Sequence, residues 1–237
     1  MIHCRLLIPA LLSGLILAGC SIIDCCKDCC KDCCSSAPAK AEPGSSSGAA
    51  KKEDDARSLF DGKTLGAWKS IDFGGEGAVK VEGGAIKVEA GATCSGVQWT
   101  GEAPPRTNYE FSVEAMKVDG SDFFLGIVFP VGKDTCSFVA GGWGGGVTGL
   151  SSVDHMNASE NETASDQTYA KNKWYTFRLI VTPAKIEAWW DAKQVVNLEL
   201  ANRQISVHPA VESAAPLGLV NYQTASLFRN IRLKKLN

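Results

Sequence analysis

The chain has 237 residues, a formal net charge of −2 and an apolar share of 45%. That length holds one all-β domain, the apolar share is that of a globular protein, and near-balanced charge without a basic patch leaves no footprint for nucleic acid. Cysteine is the one strong deviation, because eight of the ten precede residue 35 and only Cys94 and Cys136 follow.

Residues 1–5 make a short basic start, residues 6–17 a nearly unbroken apolar run, and LAGC ends at Cys20. The run is shorter than the roughly 20 residues of a bilayer span, so residues 1–19 read as an export signal. LAGC resembles the bacterial lipobox, which implies a lipid on Cys20 and an envelope-facing protein; Ser21, where aspartate would favour inner-membrane retention, points to the outer membrane. Residues 24–34, DCCKDCCKDCC, repeat paired cysteines. Their two-residue spacing suits zinc or copper(I), but adjacent pairs cannot all converge on one tetrahedral site, and an oxidising compartment favours disulfides, including links between neighbouring copies. Residues 35–57, rich in Ser, Ala, Pro and Gly and ending in mixed charge, lack the large apolar side chains that offset ordering entropy. Residues 20–57 are therefore expected to be a cysteine-rich segment and flexible tether, and 58–237 the folded domain.

Within that domain the apolar period is two, and no segment of helical period is long enough to anchor a helical fold. VKVEGGAIKV at 79–88 predicts a hairpin about Gly83 and Gly84. Residues 108–118 place Tyr109, Phe111, Val113 and Ala115 on one face, and 123–131 is apolar throughout, as in a strand covered on both sides, with Pro130 marking its end. Residues 136–140 read as a short partner strand. Residues 174–182 turn Tyr175, Phe177, Leu179 and Val181 inward, and with 186–190 and 195–200 they predict a three-stranded meander. A terminal run around FRNIRL completes a set of short strands that either two packed sheets or a closed barrel would bury.

Between these strands, residues 139–163 lose the alternation: six glycines and Trp143 are followed by a polar run. The stretch reads as one long loop, and loops of that length are commonly functional. Asp154, Glu160 and Glu162 offer carboxylates for glycoside chemistry, and His155 an imidazole as a general base. The same oxygens, with Asn157, Asn161 and Asp166, offer calcium a hard-ligand site between Asp154 and Asp166. Trp143 among glycines is a platform for a sugar ring or a cap on the core. Trp68, Trp99, Trp174 and Trp190 read as internal, and Trp189 as a second exposed candidate. Cys94 and Cys136 are left either as a disulfide across the sheets or as two buried thiols. His208, before Pro209, shows no partner in the sequence.

Three segments in the right order, SLFDGKTLGAWK from Ser58, KWYTFRLIVTPAKIEAWWDAKQVV from Lys173 and LFRNIRLKKL from Leu227, resemble the 3-keto-disaccharide hydrolase domain. The resemblance implies a concanavalin A-like β-sandwich, or jelly roll, and action on 3-keto-glycosides. The middle departs from the family pattern: GSDFFLGI stands where a GNSGIF-like run is usual, and CSFVAGGW lacks the acid expected on its strand. No residue therefore inherits a catalytic role. The leading expectation is a carbohydrate-binding domain that uses a sheet face with Trp143, Asp154, His155, Glu160, Asn161, Glu162 and Trp189. The alternatives are a hydrolase or lyase acting on 3-keto-glycosides and a disulfide-linked structural protein of the envelope.

Overall fold

The structure is a computed structural model and describes residues 56–237; the expected export signal, Cys20, the cysteine repeat and most of the tether lie outside the described residues. In chain order the strands are β1 (Arg57–Ser58), β2 (Trp68–Ser70), β3 (Val79–Glu82), β4 (Ala85–Val88), β5 (Cys94–Trp99), β6 (Tyr109–Gly120), β7 (Leu125–Val131) and β8 (Asp134–Gly142). They continue with β9 (Val147–Ser151), β10 (Ser165–Asp166), β11 (Trp174–Val181), β12 (Lys185–Trp190), β13 (Lys193–Glu199), β14 (Gly218–Tyr222) and β15 (Thr224–Lys235). A 3₁₀ helix, Pro209–Ala214, precedes β14.

Two antiparallel sheets result. The first runs β13-β12-β11-β6-β15-β4-β3 with β1 added to β15, and the second runs β10-β9-β8-β7-β14-β5-β2. Neighbours in space are often far apart in sequence, as where β14 inserts between β5 and β7, and this is how distant segments reach one surface. The expected 79–88 hairpin is present as β3 and β4, and the expected meander as β11 to β13.

The predicted alternation places Tyr109, Phe111, Val113, Tyr175, Phe177 and Leu179 of the first sheet against Leu125, Ile127, Phe129, Phe138 and Leu150 of the second. Each such large side chain contributes about 1.5–3 kcal/mol by leaving water. The buried Tyr109 hydroxyl donates to the Pro130 carbonyl at 2.7 Å, so a polar group inside the core is satisfied across the two sheets. Pro130 lies within β7 rather than at its end.

Residues 139–163 are not one loop. β8 continues through the first glycines to Gly142, which pairs with Val147, and β9 pairs back as far as Ser151 with Ser137. Glycine carries no side chain to alternate, so the pattern vanished from the sequence while the backbone ladder continued. Trp174 is corrected as well: it lies on the outer face of the first sheet, with the Arg229 guanidinium 3.9 Å from its ring. The alternation that turns Tyr175 inward requires this.

Candidate active site

On the second sheet, odd and even positions divide cleanly. Ile127, Phe138, Leu150 and Leu219 face the core, so Gly126, Val139, Ser151 and Val220 face the other way. Cys94, Val128 and Val220 form a small apolar cluster on that outer face with Val211 and Ala214, which belong to the 3₁₀ helix. Beside the helix the face hollows into a cavity of about 400 Å³. That volume lies in the range of small-molecule sites.

The hollow depends on absent side chains. A Cβ at Gly126 would lie 2.5 Å from Val220 Cγ2, and one at Gly96 would lie 2.4 Å from the Leu219 carbonyl oxygen. The strands thus approach with no room for even a methyl group, and Val220 becomes the floor.

The rim comes from three connections and the end of β14. Trp143 occupies the β8–β9 turn, 49% exposed and at φ 49. A bulky residue in the left-handed region costs on the order of 1–2 kcal/mol, and here that strain accompanies an uncovered indole. Asp122, between β6 and β7, is oriented at both oxygens: Oδ1 accepts the Phe123 amide at 2.7 Å and Oδ2 the Gly144 amide at 3.0 Å. Its own amide donates to Thr224 Oγ1, whose hydroxyl donates back to the Asp122 carbonyl. Phe123 stacks on Tyr222 with centroids 6.0 Å apart and planes 26° from parallel, and both rings line the cavity. His208 lines it from the helix side, and its Nδ1 accepts the Ala210 amide at 3.2 Å, which makes Nε2 the protonated nitrogen of the neutral ring.

Cys94 also lines the cavity, and burial, with a smaller effect from the Asp122 charge, pushes its thiol up to about 11. It therefore stays protonated near neutrality and offers no ready nucleophile. Cys136 faces the core from β8, its thiol pushed by burial to about 12. The two cysteines lie on opposite faces of one sheet as free thiols, which decides the earlier alternative against a disulfide.

Of the sugar- and metal-binding candidates read from the sequence, Trp143 lines the cavity and the others lie elsewhere. Asp154 accepts the Gln204 amide at 2.8 Å and pairs with Arg203 at 2.7 Å, and Glu162 pairs with the same guanidinium. Glu160 accepts the Asn157 amide at 3.1 Å. Asn161 is buried and tied wholly to its own segment: Nδ2 donates to the carbonyls of Leu150, Met156 and Asn157, and Oδ1 accepts the Thr163 amide and hydroxyl. His155 is exposed in the turn between Val153 and Met156. Trp189 is on the outer face of the first sheet with Arg178 stacked 3.9 Å from its ring. Among the described residues, no group of three or more His, Cys, Asp or Glu side chains is placed to share a metal ion; the cation held by Asp154 and Glu162 is Arg203.

Asp122, Phe123, His208 and Tyr222 were not picked out as site residues. Asp122 had one signal, an acid in the run GSDFFLGI where the family pattern breaks. His208 had another, a histidine without a partner before a proline. Neither signal could locate the other across the sheet.

The fold is shared with solved structures of low sequence identity. A Crh5 transglycosylase in complex with NAG superposes with a TM-score of 0.53 at 10% identity, covering 77% of this chain and 85% of that one. The Emp46p carbohydrate recognition domain does so at 0.51 and 11% identity, covering 73% and 90%. These likenesses concern the jelly-roll architecture alone. No curated protein matches the sequence significantly. The family model of the 3-keto-alpha-glucoside-1,2-lyase-like domain matches residues 55–234, which takes in both the LFDGKTL opening and the FRNIRL closing segment. The chain belongs to the 3-keto-alpha-glucoside-1,2-lyase-like domain family.

Proposed function

We propose that the domain binds 3-keto-glycosides in the cavity on the outer face of its second sheet and cleaves them by elimination across C1 and C2. The observation that carries this reading is one cavity in which the Trp143 indole, an oriented Asp122 carboxylate and the His208 imidazole are brought together. Family membership supplies the substrate class.

The chemistry follows from the ketone. A carbonyl at C3 acidifies the C2 proton, so the carboxylate of Asp122 is a sufficient base once it is positioned. As that proton leaves, charge develops on the C3 oxygen, where a hydrogen bond from His208 Nε2–H stabilises it without a formal proton transfer. The electron pair then forms the C1–C2 double bond, the C1–O bond breaks, and the departing oxygen takes a proton from solvent. The products are the free aglycone and an unsaturated 3-keto sugar, and no water is consumed. Trp143 covers the apolar face of the sugar ring.

Incubation with a synthetic 3-keto-glucoside tests the proposal. The expected result is an ultraviolet-absorbing enone released together with aglycone; hydrolysis to a saturated 3-keto sugar, or no turnover, would overturn it. We also propose that the domain is held at the cell envelope, on the outer membrane, by a lipid on Cys20. Mass spectrometry of the mature N-terminus checks that attachment, and an unmodified terminus downstream of Cys20 removes it.

A further inference from the structure

We infer that the leaving group this site accepts is a planar, apolar aglycone, such as a phenol, rather than a second sugar. The inference rests on the elimination reading above and specifies its substrate. Two features of the cavity carry it.

The first is the distribution of polarity. The Phe123 and Tyr222 rings stand as a stacked pair at one wall, and Val139 and Val220 form the floor over Gly126. Ser137 contributes little, since its hydroxyl donates to the Ser151 carbonyl in the adjoining strand. Ser151 Oγ has no protein partner and, with Asp122 and His208, is matched to the one reacting sugar. A second sugar would bring a further set of hydroxyls against rings and valines, and each one left unpaired weakens binding. A flat aromatic group gains contact from the same surface, because offset aromatic pairs attract beyond the area they bury.

The second is the absence of a separate carboxyl group for the leaving oxygen. Among the described residues lining the cavity Asp122 is the one carboxylate, and it is already assigned to the C2 proton. A sugar alkoxide departs readily only when protonated. A phenoxide, the anion of a group that ionises near pH 10, departs without help.

Calorimetry on the full chain with unoxidised probes separates this inference from the reading beneath it. Phenyl α-D-glucopyranoside, methyl α-D-glucopyranoside and trehalose are titrated into the wild type, Trp143→Ala and Tyr222→Leu, with circular dichroism as a check on folding. The expected result is phenyl glucoside binding at least tenfold more tightly than the other two, with that preference reduced in Tyr222→Leu and all three probes weakened together in Trp143→Ala. Equal or tighter binding of methyl glucoside or trehalose overturns the inference. Turnover of the 3-keto forms of phenyl glucoside and trehalose is measured in parallel. A phenyl preference without turnover of either substrate removes the elimination and leaves the aglycone site standing. Equal turnover of both without a phenyl preference keeps the elimination and removes the aglycone site.

Discussion

Asp122 Oδ2 accepts the backbone amide of Gly144 at 3.0 Å, so the β6–β7 connection and the β8–β9 turn close on each other next to Trp143. The carboxylate that the proposed reaction uses also holds the turn that presents the indole. Asp122→Asn keeps one of the two oxygens that accept the Phe123 and Gly144 amides while losing the base. Turnover is expected to fall by about 10²–10⁴, the usual contribution of a positioned general base, with a small drop in melting temperature from the amide left unmet. Steady-state kinetics and a thermal melt check both halves; an unchanged rate would falsify the assignment of the base.

Trp143 combines an exposed ring with a left-handed backbone. Trp143→Gly removes the platform and relieves the backbone together. Stability is expected to hold or rise by up to about 1 kcal/mol, while ligand affinity drops. Chemical denaturation beside calorimetry separates this from a role as a core cap, for which stability would fall.

Asn161 makes five hydrogen bonds within residues 150–163, two of them at 2.8 Å to the carbonyls of Leu150 and Asn157. Asn161→Ala leaves several buried partners unmet and is expected to destabilise the domain by about 2 kcal/mol. Denaturant titration measures this, and binding at the cavity by the folded fraction should be unchanged.

The Gln204 amide first, and the Arg203 guanidinium second, hold the Asp154 carboxyl below the ordinary carboxylate range. A lowered folded value means that Asp154 supports folding above the unfolded carboxylate pKa, and that this support is lost as pH falls through the lowered value. Hydrogen exchange in residues 153–163 should therefore quicken below about pH 4, and Arg203→Ala should quicken it already at neutral pH. Calcium proposed between Asp154 and Asp166 would have Arg203 as its competitor. Calcium titration is expected to give stronger binding in Arg203→Ala than in the wild type.

Burial sets the chemistry of both domain cysteines. With the Cys94 thiol raised to about 11 and that of Cys136 to about 12, iodoacetamide at pH 8 should label neither before unfolding. Peptide mapping of the labelled full chain reads each site separately. Cys94→Ala is expected to leave turnover within a few fold, because a protonated thiol takes no part in the proposed elimination.

The sheet architecture was legible wherever large side chains alternate: Tyr109 to Ala115 and Tyr175 to Val181 declare their inner faces outright. Legibility failed where glycine replaced them, and the end of β8 with β9 was read as a loop because Gly141, Gly142 and Gly149 mark no face. Trp174 was within reach of the same rule, since its neighbour Tyr175 fixes its direction. The site resisted for another reason. Acids in a polar run attract notice, yet Asp154 and Glu162 serve one arginine, while Asp122 and His208 meet only because β14 inserts between β5 and β7. Such convergence is a property of topology, and no local window of sequence contains it.

The strand contact beneath Val220 has a bearing on how this family member could diverge. A side chain at Gly96 would strike the backbone of β14, and one at Gly126 would strike Val220 itself. The floor is therefore closed to gradual change, since its first step in either direction is a collision within the sheet. Variation in what the site accepts has to enter along the edge, at Phe123, Trp143 and Tyr222, where a substitution meets solvent or a partner ring. Descendants with new ligands would be expected to share one depth and differ in their walls.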